Sequence, residues 1–219
     1  MKFVYIAACL ALYVKMLFLA NPAPSLPFVI AEAIAVDSGV SNTVAGVIFR
    51  NRLYDTIFEV IVFTIAIMGA KYLLANEYPS AKIYQFTDQA SIVLARLGAT
   101  IASLVGIELA IRGHLTPGGG FSSGVAIGTA IGLVAMTSSP EWMEAVYQRW
   151  HAATWEKISV LIFIVLAVFT LAGFELPHGQ LGALISGGIV PILNILVAIK
   201  VALGSWAVVL MLIRYRGLL

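Results

Sequence analysis

The chain has 219 residues, of which 61% are hydrophobic and 11% charged, with a mean hydropathy of +0.98. A water-facing domain carries about a quarter charged residues, so this composition excludes an ordinary soluble surface and fits a bilayer as solvent. A net charge of +2 with no basic, aromatic-laced stripe leaves nucleic-acid binding without a footprint, and the lone Cys9 with no Cys/His cluster gives no disulfide, metal or cofactor to expect.

In chain order, six apolar stretches predict an all-α, polytopic membrane protein with about six transmembrane helices: Phe3–Ala20, Asp55–Leu74, Ala90–Ile111, Phe121–Met136, Ile158–Ala172 and Ile192–Arg214. The first has the look of a signal peptide, with Lys2 before it and Asn21-Pro22-Ala23 after it. Lys15 interrupts its apolar run, so it is read as a retained helix. A proline-dense exit, Pro22 to Pro27, leads into a polar stretch with Glu32, Asp37, Arg50 and Arg52. Asn76-Glu77-Tyr78-Pro79 is the best boundary between two halves, a two-helix segment over 1–78 and a four-helix domain over 79–219. Between Ser138 and Lys157, Trp142, Tyr147, Trp150 and Trp155 suit an interfacial helix at headgroup level, or packing at a subunit contact. Lys71, Lys82, Arg149, Lys157, Arg214 and Arg216 would share one side with Lys2, against Arg50, Arg52 and Arg112 on the other. The positive-inside bias places both termini in the cytoplasm of a prokaryotic cell membrane.

Three features carry chemistry. The first is Arg112-Gly113-His114-Leu115-Thr116-Pro117-Gly118-Gly119-Gly120-Phe121, which joins two apolar helices with almost no loop. Pro117 breaks a helix, and Gly118, Gly119 and Gly120 permit backbone angles closed to other residues. Irregular backbone at membrane depth is tolerated only against protein or a wet cavity. His114 is then a candidate proton carrier, while the same residues also fit a tight hairpin with an interfacial histidine. The second feature is Gly120, Gly124, Gly128 and Gly132, a small-residue ridge that predicts close approach of another helix. The third is a set of ionisable residues in the spans. Asp55 and Glu59 are one helical turn apart, a spacing at which like charges raise one pKa and favour proton exchange. Glu108 and Arg112 have the same spacing and can pair, and Lys200 lies well inside the last span. Buried charges mark ion or proton pathways, which makes Glu59, Asp55, Lys200, His114 and Glu108 the pathway candidates. The competing reading makes Asp55 a helix cap, pairs Glu59 with Arg50 or Arg52, and leaves Glu108 and Arg112 as an interfacial salt bridge. No nucleophile–base pair, phosphate-binding loop or dinucleotide fingerprint is present.

The string from Gly113 to Phe121, between two apolar helices, resembles the signature of the B subunit of Mrp-type sodium/proton antiporters, a type of component also found in membrane-bound hydrogenases and related respiratory complexes. The resemblance covers Ala81 to the C-terminus. Here Ser122 and Ser123 stand before Gly124, where the family often continues with glycine. Ser41-Asn42-Thr43-Val44, Phe49-Arg50 and Asp55-Thr56-Ile57-Phe58-Glu59-Val60 are similar to the C-terminal end of the Mrp A subunit, although Phe58 stands where that pattern commonly has glycine. The resemblance implies a non-catalytic, fused membrane subunit that helps form a cation or proton path. Its partners would be other Mrp-type subunits in the bilayer and, in a respiratory complex, a peripheral redox module. A purely structural role in assembly is the alternative. An independent carrier is disfavoured, because no inverted repeat is visible.

Overall fold

The computed structural model describes Val14, residues 30–80 and residues 83–217. Two units are distinguished, 1–33 and 34–219, and only Val14 and 30–33 of the first are described. In chain order the helices are α1 (Ile30–Ser38), α2 (Thr43–Gly46), a π-helical turn (Val47–Asn51), α3 (Leu53–Leu74), α4 (Gln89–Arg112), α5 (Gly120–Met136), α6 (Pro140–Arg149), α7 (Ala152–Leu171) and α8 (Val190–Arg216).

The number of spans differs from the expectation. Four helices among the described residues, α3, α4, α7 and α8, are long and apolar enough to cross a membrane, not six. Apart from Val14, the expected first span, with Cys9 and Lys15, lies outside the described residues. The expected fourth is α5, an apolar helix of 17 residues. At 1.5 Å per residue it is about 25 Å long, short of a hydrocarbon core of roughly 30 Å. The sequence sets both of its limits. Gly118 and Gly119, at φ +142° and +154°, lie outside the helical region before it. Ser139 then accepts from the Trp142 N–H (3.2 Å) and, with Pro140 at the first helical position, starts α6 instead of prolonging α5.

Local signals place the other termini. The Asp88 carboxylate accepts from the Ser91 N–H (2.8 Å) at the start of α4, which holds its pKa below the usual range. His151 takes a left-handed conformation (φ +47°) between α6 and α7, so α7 begins at Ala152, six residues ahead of the expected span. At the π-helical turn, the Thr56 hydroxyl donates to the Ile48 carbonyl (2.7 Å).

α8 is the central element, packing against α3, α4, α5 and α7. Its buried face includes Leu193, Val197 and Val201, which join Phe49, Leu53, Val60 and Phe163 in the main core. Gly120, Gly124 and Gly128 let α5 approach α8 closely. A β-carbon on Gly124 would lie 2.4 Å from that of Val201, and one on Gly128 would lie 2.8 Å from that of Ser205. The fourth residue of the ridge, Gly132, has nothing within 4 Å of its ideal β-carbon. The outward faces are apolar as well, with Phe58, Val62, Ile65 and Met68 exposed on α3. Such a helix suits lipid or a partner protein rather than water. α6 divides its aromatics: Trp142 is exposed, while Tyr147 turns inward onto Trp206 (ring centroids 5.2 Å apart).

Candidate functional site

Among the described residues, two polar regions inside the bundle stand out. The first is the turn between α4 and α5. Ending α4 before Pro117 frees carbonyls that would otherwise bond along the helix. Two asparagines satisfy them. The Asn194 amide, from α8, donates to the carbonyls of Leu109 (3.1 Å) and Ala110 (2.7 Å). The Asn42 amide donates to those of Gly113 (2.7 Å) and Thr116 (2.8 Å), and its backbone N–H donates to that of His114 (3.0 Å). The same Asn42 caps α2, its side-chain oxygen accepting from Val44 and Ala45. The segment around Asn42 is therefore hydrogen-bonded directly to the α4–α5 turn.

Glycine is required at the tightest points of this turn. A β-carbon on Gly113 would meet the Asn194 amide nitrogen at 2.7 Å, and Gly118 and Gly119 hold positive φ. His114 is fully buried, and among the described residues neither ring nitrogen has a hydrogen-bond partner of good geometry. Burial pushes its pKa below the usual histidine value, while nearby backbone groups of Leu184 and Ala183 act in the opposite direction. The imidazole is thus biased toward its neutral form.

The second region lies between α7 and α8. Lys200, 2% exposed, forms an ion pair with Glu156, 5% exposed. The ammonium also sits 5.7 Å from the ring centroid of Phe63 on α3, a cation–π distance. The Ser159 hydroxyl donates to the Glu156 backbone carbonyl (2.8 Å). Glu156 is not among the residues that the sequence singles out. It falls between Trp155 and Lys157, in a stretch that reads as interfacial. The available signal is periodicity: Ala152, Glu156, Ser159, Phe163 and Ala167 recur at helical spacing and form the buried face of α7.

The remaining candidates are dispersed. Asp55 pairs with Arg52, three residues earlier. Glu59, one turn further along α3, is exposed and has neither an ion pair nor a hydrogen bond among the described residues. Arg50 is engaged by Asp37 (3.0 Å) and Glu175 (2.8 Å), so neither Arg50 nor Arg52 serves Glu59. Glu108 and Arg112 pair at 2.9 Å, both about half exposed. The structure thus brings Lys200 together with an unforeseen carboxylate, seats His114 among backbone groups, and leaves Glu59 facing outward. Among the described residues no group of His, Cys, Asp and Glu is arranged to hold a metal.

Comparison with known proteins agrees with this architecture. The family described as a domain related to the MnhB subunit of Na+/H+ antiporters matches residues 90–207. An uncharacterized protein of Methanocaldococcus jannaschii is 29% identical, over 75% of this chain and 74% of its own. A probable K+/H+ antiporter A/B subunit of Rhizobium meliloti is 24% identical over 80% of this chain, which spans only 20% of that larger protein. Among solved structures, a chain of the membrane-bound sulfane sulfur reductase, an archaeal respiratory membrane complex, superposes with a TM-score of 0.70 at 26% identity, covering 97% of this chain and 98% of that one. A chain of the Mrp complex from Dietzia sp. shares the fold, with a TM-score of 0.62 at 18% identity over 96% of this chain and 26% of its own. The chain belongs to the family of domains related to the MnhB subunit of Na+/H+ antiporters, and it is a multi-pass, non-catalytic membrane subunit of an Mrp-type or related antiporter or respiratory complex.

Proposed function

We propose that this protein helps form the ion pathway of a multi-subunit sodium/proton-translocating complex, either an Mrp-type antiporter or such a module within an energy-converting respiratory complex. The observation that carries the reading is the Lys200–Glu156 pair. Two opposite charges have been taken out of solvent between two membrane-length helices. A buried pair of this kind is weak as a stabilising device, since apolar residues of similar volume often do as well. Ionisable groups among membrane helices instead mark ion or proton paths.

Glu59 is a second element of the path. A lone carboxylate on a membrane helix costs at least about 2.5 kcal/mol on insertion scales. Its exposure and lack of a partner among the described residues favour a neighbouring protein of the complex, or water between the two, as its environment. Asp55 stands one turn away on the same helix. The domain boundary is placed at 78/79, with 1–78 corresponding to the end of the Mrp A component and 79–219 to the B component. The Rhizobium relative, whose name joins A and B, supports that reading, and the family match at 90–207 falls within the second part. The Lys/Arg bias assigns the end of the bundle that holds the C-terminus, with Lys71, Arg149, Lys157, Arg214 and Arg216, to the cytoplasm, and the N-terminus with it.

Glu59→Gln tests the reading, because it keeps size and most hydrogen bonding but removes titration. Assembled variant complexes in sealed vesicles are expected to lose most sodium and proton flux. Unchanged flux with normal assembly would favour the purely structural alternative.

A further inference from the structure

At the end of the bundle where α3 and α8 finish, α6 roofs a recess of about 610 Å³. Its wall carries Lys71, Glu141, Glu144, Gln148 and Arg214, with the Arg214 guanidinium 3.2 Å from the Glu144 carboxylate. These charged side chains, set among apolar ones, give water a foothold in the recess. Tyr147, which also lines the recess, is itself nine-tenths buried. Its body packs with Ala152 of α7 and Ala207 of α8, the two helices that hold Glu156 and Lys200. Burial, with the Glu156 charge added to it, raises the Tyr147 pKa. The phenol thus stays protonated at physiological pH, within electrostatic reach of the carboxylate. One residue accordingly touches both the recess and the surroundings of the buried pair.

We infer that the recess is the aqueous entrance to the Glu156–Lys200 pair, with the Tyr147 hydroxyl as the step between water and the carboxylate. The inference rests on the pathway reading above and adds the side from which the pair is reached. A hydroxyl is both donor and acceptor. It can pass its proton to the Glu156 carboxylate while taking one from a recess water, so that its own charge is unchanged and the water is left as hydroxide until bulk solvent reprotonates it. Among the described residues, Lys200 of α8 is paired with Glu156, Tyr147 of α6 feels the charge of that carboxylate, and the Phe63 ring of α3 lies near the lysine.

The test uses the assembled complex in sealed vesicles, in a Cys9→Ser background that removes the single native cysteine. Ala153→Cys and Leu210→Cys place thiols on the recess wall. A small, charged, membrane-impermeant methanethiosulfonate should label both from the side of the C-terminus only, and modification of Ala153→Cys should lower ion flux at least tenfold. Tyr147→Phe, which keeps the ring and its packing, should also slow proton flux about tenfold with assembly intact. Unlabelled thiols, or labelling that leaves flux unchanged, would overturn the entrance. If Glu156→Gln/Lys200→Met still abolished transport in that case, the pathway reading would stand and only the access route would fall. Labelled thiols together with full transport by that double variant would overturn the pathway reading and the entrance with it.

Discussion

The turn between α4 and α5 and the α7–α8 pair are both polar and both buried, but they are polar for different reasons. At the turn, polarity is a debt of the backbone. Ending one helix and starting another within a few residues frees carbonyls, and Asn42 and Asn194 answer them with neutral amides. Between α7 and α8 the backbone asks for nothing. Both helices are regular there, and apolar side chains of the same volume would fill the space. The charges of Glu156 and Lys200 are in excess of what the fold needs, whereas the asparagines are not. Buried polarity that the backbone explains points to architecture, and buried polarity that it does not explain points to function.

Several substitutions sharpen that contrast. The largest expected effect on stability comes from Lys200→Met alone, which strands a buried carboxylate and should cost about 3–5 kcal/mol. Adding Glu156→Gln should recover most of that loss, read as the thermal stability of the purified complex. Failure of the double variant to recover would mean that the pair is architectural after all. Asn194→Leu should come next, because it leaves the Leu109 and Ala110 carbonyls unanswered at about 1–3 kcal/mol each. It should lower stability and the yield of assembled complex, while flux per assembled complex stays near normal. Gly128→Leu should then weaken α5–α8 packing by about 1–3 kcal/mol, and Gly132→Ala, where the β-carbon meets nothing, should be close to neutral. Equal effects at the two glycines would remove the distinction between them.

The turn is legible in the sequence because its residues are unusual there: a proline and three glycines between apolar runs have few structural uses. Asn42 is visible as part of a motif, but its partners lie 71 to 74 residues away, and no local pattern reports such a contact. Lys200 stands out because a charge deep in an apolar helix is conspicuous. Its partner does not, because Glu156 lies only four residues into α7, among tryptophans that draw the helix start toward Ile158. The short α5 reads as a span because it carries no charged residue and is mostly apolar, and hydropathy measures composition more readily than length. Asp55 and Glu59 share a helix and a spacing, yet only Asp55 finds a partner among the described residues, because Arg52 precedes it on the same turn.

The most direct test of the central claim is ion flux through complexes carrying Glu156→Gln together with Lys200→Met, reconstituted in sealed vesicles and normalised to assembled complex. The account predicts normal assembly and loss of most sodium and proton transport. Wild-type flux from a normally assembled double variant would contradict it.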